Sequence, residues 1–89
     1  MDKKLQSVIR KIARQTDNND HTGSVLTLAE FLGDAEAIEE LLVIKDKHNR
    51  AGCMETEWVH ERSAIMKRLL NRVLFLYGEA VRDRVNGAF

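Results

Sequence analysis

The sequence predicts an all-α fold, namely a three-helix bundle whose long C-terminal helix also pairs two copies of the chain. None of the 89 residues is proline, so no residue of that type interrupts a helix. Apolar residues recur at helical spacing in three stretches, which predicts helices over about 3–16, 27–49 and 55–84. Because a chain of this length can bury one modest core, residues 1–89 are interpreted as a single helical domain.

The first predicted helix has one apolar face and one basic face. Its aliphatic residues recur at i, i+3, i+4, i+7 and i+8: Leu5, Val8, Ile9, Ile12 and Ala13. A polar run over 17–24, rich in turn-forming residues, is predicted to end it.

The second predicted helix begins at a capping box, in which Thr27 is followed three residues later by Glu30. It is expected to reach about Asn49, with Gly52 as the C-terminal cap and Gly33 as an internal kink.

The third predicted helix is apolar over an arc of about 200°, about twice the width that one core-facing stripe needs. It must therefore bury two sides, and Gly78 is its predicted weak point. It is either the central helix of the bundle or a helix that packs partly on a second copy. A coiled-coil-like spacing favours the second, homodimerisation along one seam formed by Met66, Leu69, Val73, Leu76 and Ala80.

Charge is segregated along the chain although the formal net charge is zero. Residues 1–16 carry +4, residues 17–47 carry −6, residues 48–63 carry −1 and residues 64–89 carry +3. The simplest interpretation is that the acidic middle faces the basic ends within the fold. A single cysteine, no apolar run longer than five residues and no secretory leader pattern at the first residues predict a cytoplasmic protein.

Two short patterns approach known binding motifs without completing them. Residues 28–34 resemble the first helix and turn of a DNA-binding helix-turn-helix, but Glu39 stands where a buried aliphatic belongs and the next helix is acidic. A capped amphipathic helix with an internal glycine is favoured instead. Residues 18–30 resemble an EF-hand calcium loop, but Ala29 occupies the position of the bidentate glutamate, which favours a polar connector.

No set of residues predicts catalysis or a cofactor. His48, Cys53 and His60 do not have the spacing of a zinc site, and Glu57 with His60 forms only one of the two motifs that a di-iron bundle requires. We therefore expect no metal, no cofactor, no small-molecule substrate and no enzymatic activity.

The strongest candidate for function is Phe75, which falls at the centre of the polar side of the third helix. An aromatic residue among arginines is typical of protein interfaces, and the predicted partner-binding set is Phe75 with Arg68, Arg72, Glu79 and Arg82. The equally weighted alternative is a single surface aromatic with no role, or one that the fold itself covers. Arg62 and Glu39 lie inside apolar arcs and are hypothesised to pair with each other, while Phe89 is expected to fray.

These observations predict a non-enzymatic protein-binding module, acting as a small accessory, regulatory or inhibitory subunit of a larger assembly. The alternative is a nucleic-acid-binding regulator that uses the basic first helix and the degenerate helix-turn-helix. Its phosphate contacts would come from Lys3, Lys4, Arg10, Lys11 and Arg14, with Arg68, Arg72 and Arg82 as additional contacts.

Overall fold

A computed structural model of the protein describes residues 2–51 and 56–89, which form five α-helices and no strand. The helices are α1 (Lys3–Asp17), α2 (His21–Leu32), α3 (Ala35–Ala51), α4 (Thr56–Tyr77) and α5 (Glu79–Ala88). The all-α prediction is confirmed. The prediction of three helices is wrong, because glycines with positive φ divide both longer predicted helices.

Gly33 ends α2 instead of kinking a continuous helix. It adopts the left-handed conformation, with φ 68° and ψ 27°, which costs glycine no steric strain. The Gly33 N–H donates to Glu30 O at 3.2 Å and the Asp34 N–H donates to Ala29 O at 3.1 Å, the two bonds of a Schellman motif. Asp34 then caps α3, because its Oδ1 accepts from the Ala37 N–H at 3.0 Å.

The start of α2 lies six residues before the predicted capping box. Asp20 is the N-cap, with its Oδ1 3.0 Å from the Gly23 nitrogen, so residues 21–24 are helical and only residues 18–20 form the connector. Thr27 is buried inside α2, where its hydroxyl donates to Gln15 Oε1 at 2.7 Å and lies 3.1 Å from Gly23 O. The Thr27 side chain therefore links α2 to α1 and caps nothing.

Gly78 separates α4 from α5, with φ 93° and ψ 172°. After this break the chain folds back, so that α5 packs on both α4 and α1. Val85 is fully buried, and Phe89 is half-buried against the core. The expectation that Phe89 frays is wrong because α5 carries it back onto the bundle.

The long helix α4 packs on α2, α3 and α5, so it buries several sides, as its wide apolar arc predicts. The helix α2 is enclosed to a similar extent. It packs on α1, α3 and α4, and seven of its twelve residues are buried: Thr22, Gly23, Ser24, Val25, Thr27, Leu28 and Ala29. Around it, α1 contributes Leu5 and Ile12 to the core, as its predicted apolar face requires. Among the described helices, none is long and apolar enough to cross a lipid bilayer.

Candidate functional site

The end of α4 carries an exposed apolar patch. Leu74, Phe75, Leu76 and Tyr77 are consecutive, and all four are exposed, with Phe75 83 % accessible. Four consecutive residues point in every direction around a helix, so one neighbouring helix cannot cover them all. Phe75 is thus not covered within the described part of the chain, which its position on the polar side of the predicted helix left open.

Phe75 stands at the edge of a cleft of about 590 Å³, called here the Phe75 cleft. One wall is the corner between α2 and α3, and the other is the outer face of α4. The lining residues are Leu32, Gly33, Asp34, Glu36, Arg68, Asn71, Arg72 and Phe75. Close by, the Phe31 and Tyr77 rings lie with their centroids 6.1 Å apart, so α2 and α4 both present aromatic side chains at this end of the molecule.

The two walls of the Phe75 cleft carry opposite charges. Asp34 and Glu36 lie on the α2–α3 corner, whereas Arg68 and Arg72 lie on α4. Arg68 is partly neutralised, because its Nη2 lies 3.6 Å from Glu40 Oε2. Arg72 is exposed and has neither a hydrogen bond nor an ion pair with any described residue. The α4 wall therefore offers one unpaired guanidinium beside one exposed aromatic ring.

The structure brings together only part of the predicted partner-binding set. Arg68, Arg72 and Phe75 line the same cleft, while Glu79 and Arg82 lie beyond Gly78 on α5. The Nε of Arg82 donates to Asp83 Oδ1 at 2.8 Å, and Arg82 lines a different depression with Lys67 and Asn86. The prediction placed them on one face because it assumed an unbroken helix.

The opposite wall of the cleft was not among the predicted site residues. The α2–α3 corner reaches the site only because α2 ends at Gly33. It contributes Leu32, Gly33, Asp34 and Glu36. The signal was present in the sequence as a glycine followed by aspartate, a combination typical of one helix ending and the next being capped.

The seam predicted to pair two copies is largely used inside one chain. Leu69 and Val73 are fully buried in the core, and Met66 packs against it. Leu76 and Ala80 are the exposed members of the seam. The part of the seam formed by Leu69 and Val73 is therefore not free for a second copy.

The prediction that the acidic middle faces the basic ends holds for the packing of α1, which contacts α2 within residues 17–47, but none of the five cations of α1 forms an ion pair with a described residue. Among the described residues, α1 packs on α2 and α5 and has no contact with the acidic helix α3. Lys3, Lys4, Arg10, Lys11 and Arg14 are all exposed. The C-terminal basic segment does meet the acidic middle, through Arg68 and Glu40.

The two near-motifs have different outcomes. The α2–α3 connection is a tight helix–turn–helix corner at Gly33 and Asp34, so the continuous helix favoured from the sequence is wrong. However, Glu36 and Glu39 on the second helix are exposed, and their charge opposes an approach to phosphates. The calcium-loop interpretation fails because Thr22, Gly23 and Val25 are buried within α2. The polar-connector interpretation holds for residues 18–20 and is wrong from residue 21 on.

The candidate metal ligands are only partly placed by the structure. The side chains of His48, Cys53 and Glu57 lie outside the described part of the chain. His60 and Glu61 are both exposed on α4, and Glu61 lines a cleft of about 430 Å³ between α3 and α4 together with Val43 and Arg68. Across residues 2–51 and 56–89, no three His, Cys, Asp or Glu side chains converge as metal ligands would.

Arg62 bonds to a different residue from the one hypothesised. Its Nη1 donates to Thr22 Oγ1 at 3.2 Å, whereas Glu39 is exposed on α3. The hypothesised pair assumed two facing helices, but the half-buried Arg62 lies beside the first turn of α2.

Comparison of the chain with models of protein families, with curated proteins and with solved structures finds no match in any of the three.

Proposed function

We propose that this protein is a non-enzymatic binding module that docks on another protein through the Phe75 cleft. In this role it is a small accessory, regulatory or inhibitory subunit of a larger assembly. The observation that carries the proposal is the 83 % exposure of Phe75 at the edge of a cleft that already has apolar and charged walls.

The energetics favour an interface at this position. Fully burying a phenylalanine side chain contributes about 1.5–3 kcal/mol, and interface hot spots are enriched in arginine and large aromatic residues. Phe75 supplies the apolar anchor, and Arg72 supplies a donor with no partner among the described residues. The complementary partner surface is an apolar segment flanked by a carboxylate that reaches Arg72.

The proposal is tested by affinity capture from host lysate with tagged wild-type protein, Phe75→Ala, Arg72→Glu and Leu42→Ala. Leu42 is the matched control because it is also an exposed apolar residue, 50 % accessible, and does not line the Phe75 cleft. We expect one defined protein to be retained after nuclease treatment by the wild type and Leu42→Ala. Its Kd should rise roughly ten- to a hundredfold in Phe75→Ala, as the loss of 1.5–3 kcal/mol requires.

Unchanged affinity in both Phe75→Ala and Arg72→Glu, with the helical circular dichroism signal intact, would reject the proposal. An equal loss of affinity in Leu42→Ala would also reject the proposal, because Leu42 does not line the Phe75 cleft.

We also propose that two copies associate, not along the predicted seam but through its exposed end at Leu76 and the neighbouring Leu74. Light scattering then gives twice the 10.2 kDa mass of one chain. Leu76→Glu is expected to give the single-chain mass, while Phe75→Ala retains the double mass. This pair of variants separates self-association from partner binding.

A further inference from the structure

The outer face of α1 is a strongly positive surface. Lys3, Lys4, Arg10, Lys11 and Arg14 are all exposed, and at 100° per residue they fall within an arc of about 120°. The buried residues of α1, Leu5 and Ile12, lie on the opposite side. From Lys3 to Arg14 the charges extend about 17 Å along the helix axis. These five residues are called here the basic face of α1.

The five cations of this face are unpaired among the described residues, although the acids Asp2 and Asp17 stand at the two ends of α1. Residues 3–16 include no acid. The nearest acidic helix in sequence, α3, packs on α2 and α4 and does not reach α1. The positive potential of α1 is therefore directed into solvent.

The composition of the basic face favours one kind of partner among proteins, membranes and nucleic acids. Besides the five cations, its exposed side chains include Ser7 and no large apolar residue. Protein interfaces take most of their affinity from buried aromatic and arginine anchors in apolar surroundings, and helices that lie on membranes insert apolar side chains beneath their cations. Lysine, arginine and serine side chains alone are typical of contacts to the phosphates of nucleic acid.

We propose that the basic face of α1 binds the phosphate backbone of duplex nucleic acid without reading its sequence. The helix lies along the backbone and its cations displace condensed counterions, which makes the affinity strongly dependent on salt. The acidic residues of α3 are on a helix that does not touch α1, so they orient the molecule with α1 toward the duplex. This surface is distinct from the Phe75 cleft, to which α1 contributes no residue.

The experiment is fluorescence anisotropy of the whole protein with two labelled 20-base-pair DNA duplexes of unrelated sequence, across a KCl series. Five phosphate contacts give a slope of log K against log[KCl] of about −4.5, equal for both sequences. Arg10→Gln/Arg14→Gln should make the slope shallower by about 1.8, since two contacts are lost. Lys45→Gln/Lys47→Gln is the matched control, because it removes the same charge from exposed positions of α3.

Equal weakening by the α1 pair and the α3 pair would overturn the proposal, because net charge and not the basic face would then control binding. It would also be overturned by no binding to either duplex at 25 mM KCl, or by binding to vesicles of anionic lipid in the absence of duplex binding. Phe75→Ala is expected to keep the wild-type salt slope, so failure of this proposal and failure of the protein-binding proposal give different results.

Discussion

At the scale of single residues, two glycines determine how the chain divides into helices. Gly33 and Gly78 have φ values of 68° and 93°, and a Cβ at either position would meet no atom within 4 Å. Glycine is therefore required there for its backbone conformation and not for space. Gly87 has equal space around it but lies within α5, so it has no such requirement.

Gly33→Ala should lower the free energy of unfolding by about 1–2 kcal/mol, because alanine resists the left-handed conformation. Gly33→Asn should cost less, since asparagine tolerates this conformation. Urea unfolding followed by circular dichroism measures both. Gly87→Ala is the control and should raise the stability by about 0.4–1 kcal/mol, because it restricts only the unfolded chain. The same sign of change for Gly33→Ala and Gly87→Ala would contradict this account.

At the scale of helices, the start of α2 shows two capping signals in competition. The Thr27 and Glu30 pair matches a capping box, yet Asp20 caps the helix. Residues 21–24 include glycine, serine and threonine, which favour helix only weakly, so no local pattern predicts that they are helical. Burial of Gly23, Ser24 and Thr27 against neighbouring helices stabilises this segment.

Asp20 and Gly23 should be energetically coupled. The carboxylate of Asp20 occupies the space of a Cβ at position 23, so Gly23→Ala displaces the cap. Either single change, Gly23→Ala or Asp20→Ala, should cost about 0.5–2 kcal/mol, the usual value of an N-cap. The double variant loses the same cap only once. Its loss in free energy of unfolding should therefore be clearly less than the sum of the losses in the two single variants. A double-mutant cycle by urea unfolding measures this, and additive costs would show that the two sites are independent.

Features with a local cause could be predicted from the sequence, whereas features that depend on tertiary packing could not. The apolar face of α1 follows from spacing within one helix, and the structure agrees with it. Spacing also places Phe75 on the polar side of its helix, but it left open whether the fold covers this residue. The sequence predicts a kink at Gly33, whereas the structure has a helix end there. Glycine is common at both kinks and helix ends, so the residue type alone does not distinguish them. The second wall of the Phe75 cleft depends on how α2 and α3 meet, which no periodicity within either helix encodes.

At the scale of the whole molecule, the helices differ in how much of their surface packs against the rest of the bundle. The helix α2 packs on three others, whereas α3 packs on two, α2 and α4, and a cleft of about 430 Å³ lies between α3 and α4. Only Ala37, Leu41 and Ile44 of the described α3 side chains are buried. The free energy of local opening should therefore differ between these two helices.

Native-state hydrogen exchange should find the amides of Val25, Leu28 and Ala29 exchanging only through global unfolding. The amides of Lys45 and Lys47 should exchange through a local opening of lower free energy, because their side chains are exposed and little of α3 must leave the core. Exchange measured by NMR in low urea separates the two classes. Equal protection in α2 and α3 would mean that the bundle opens as a single unit.

The packing of α1 against α5 has a consequence for how the chain folds during synthesis. The core that encloses α1 includes Val85, which is fully buried, and Phe89, which packs against it. The ribosome delivers these residues after all the other helices. The nascent chain therefore completes its core only after α5 has emerged, and until then the part of α1 that packs on α5 has no partner.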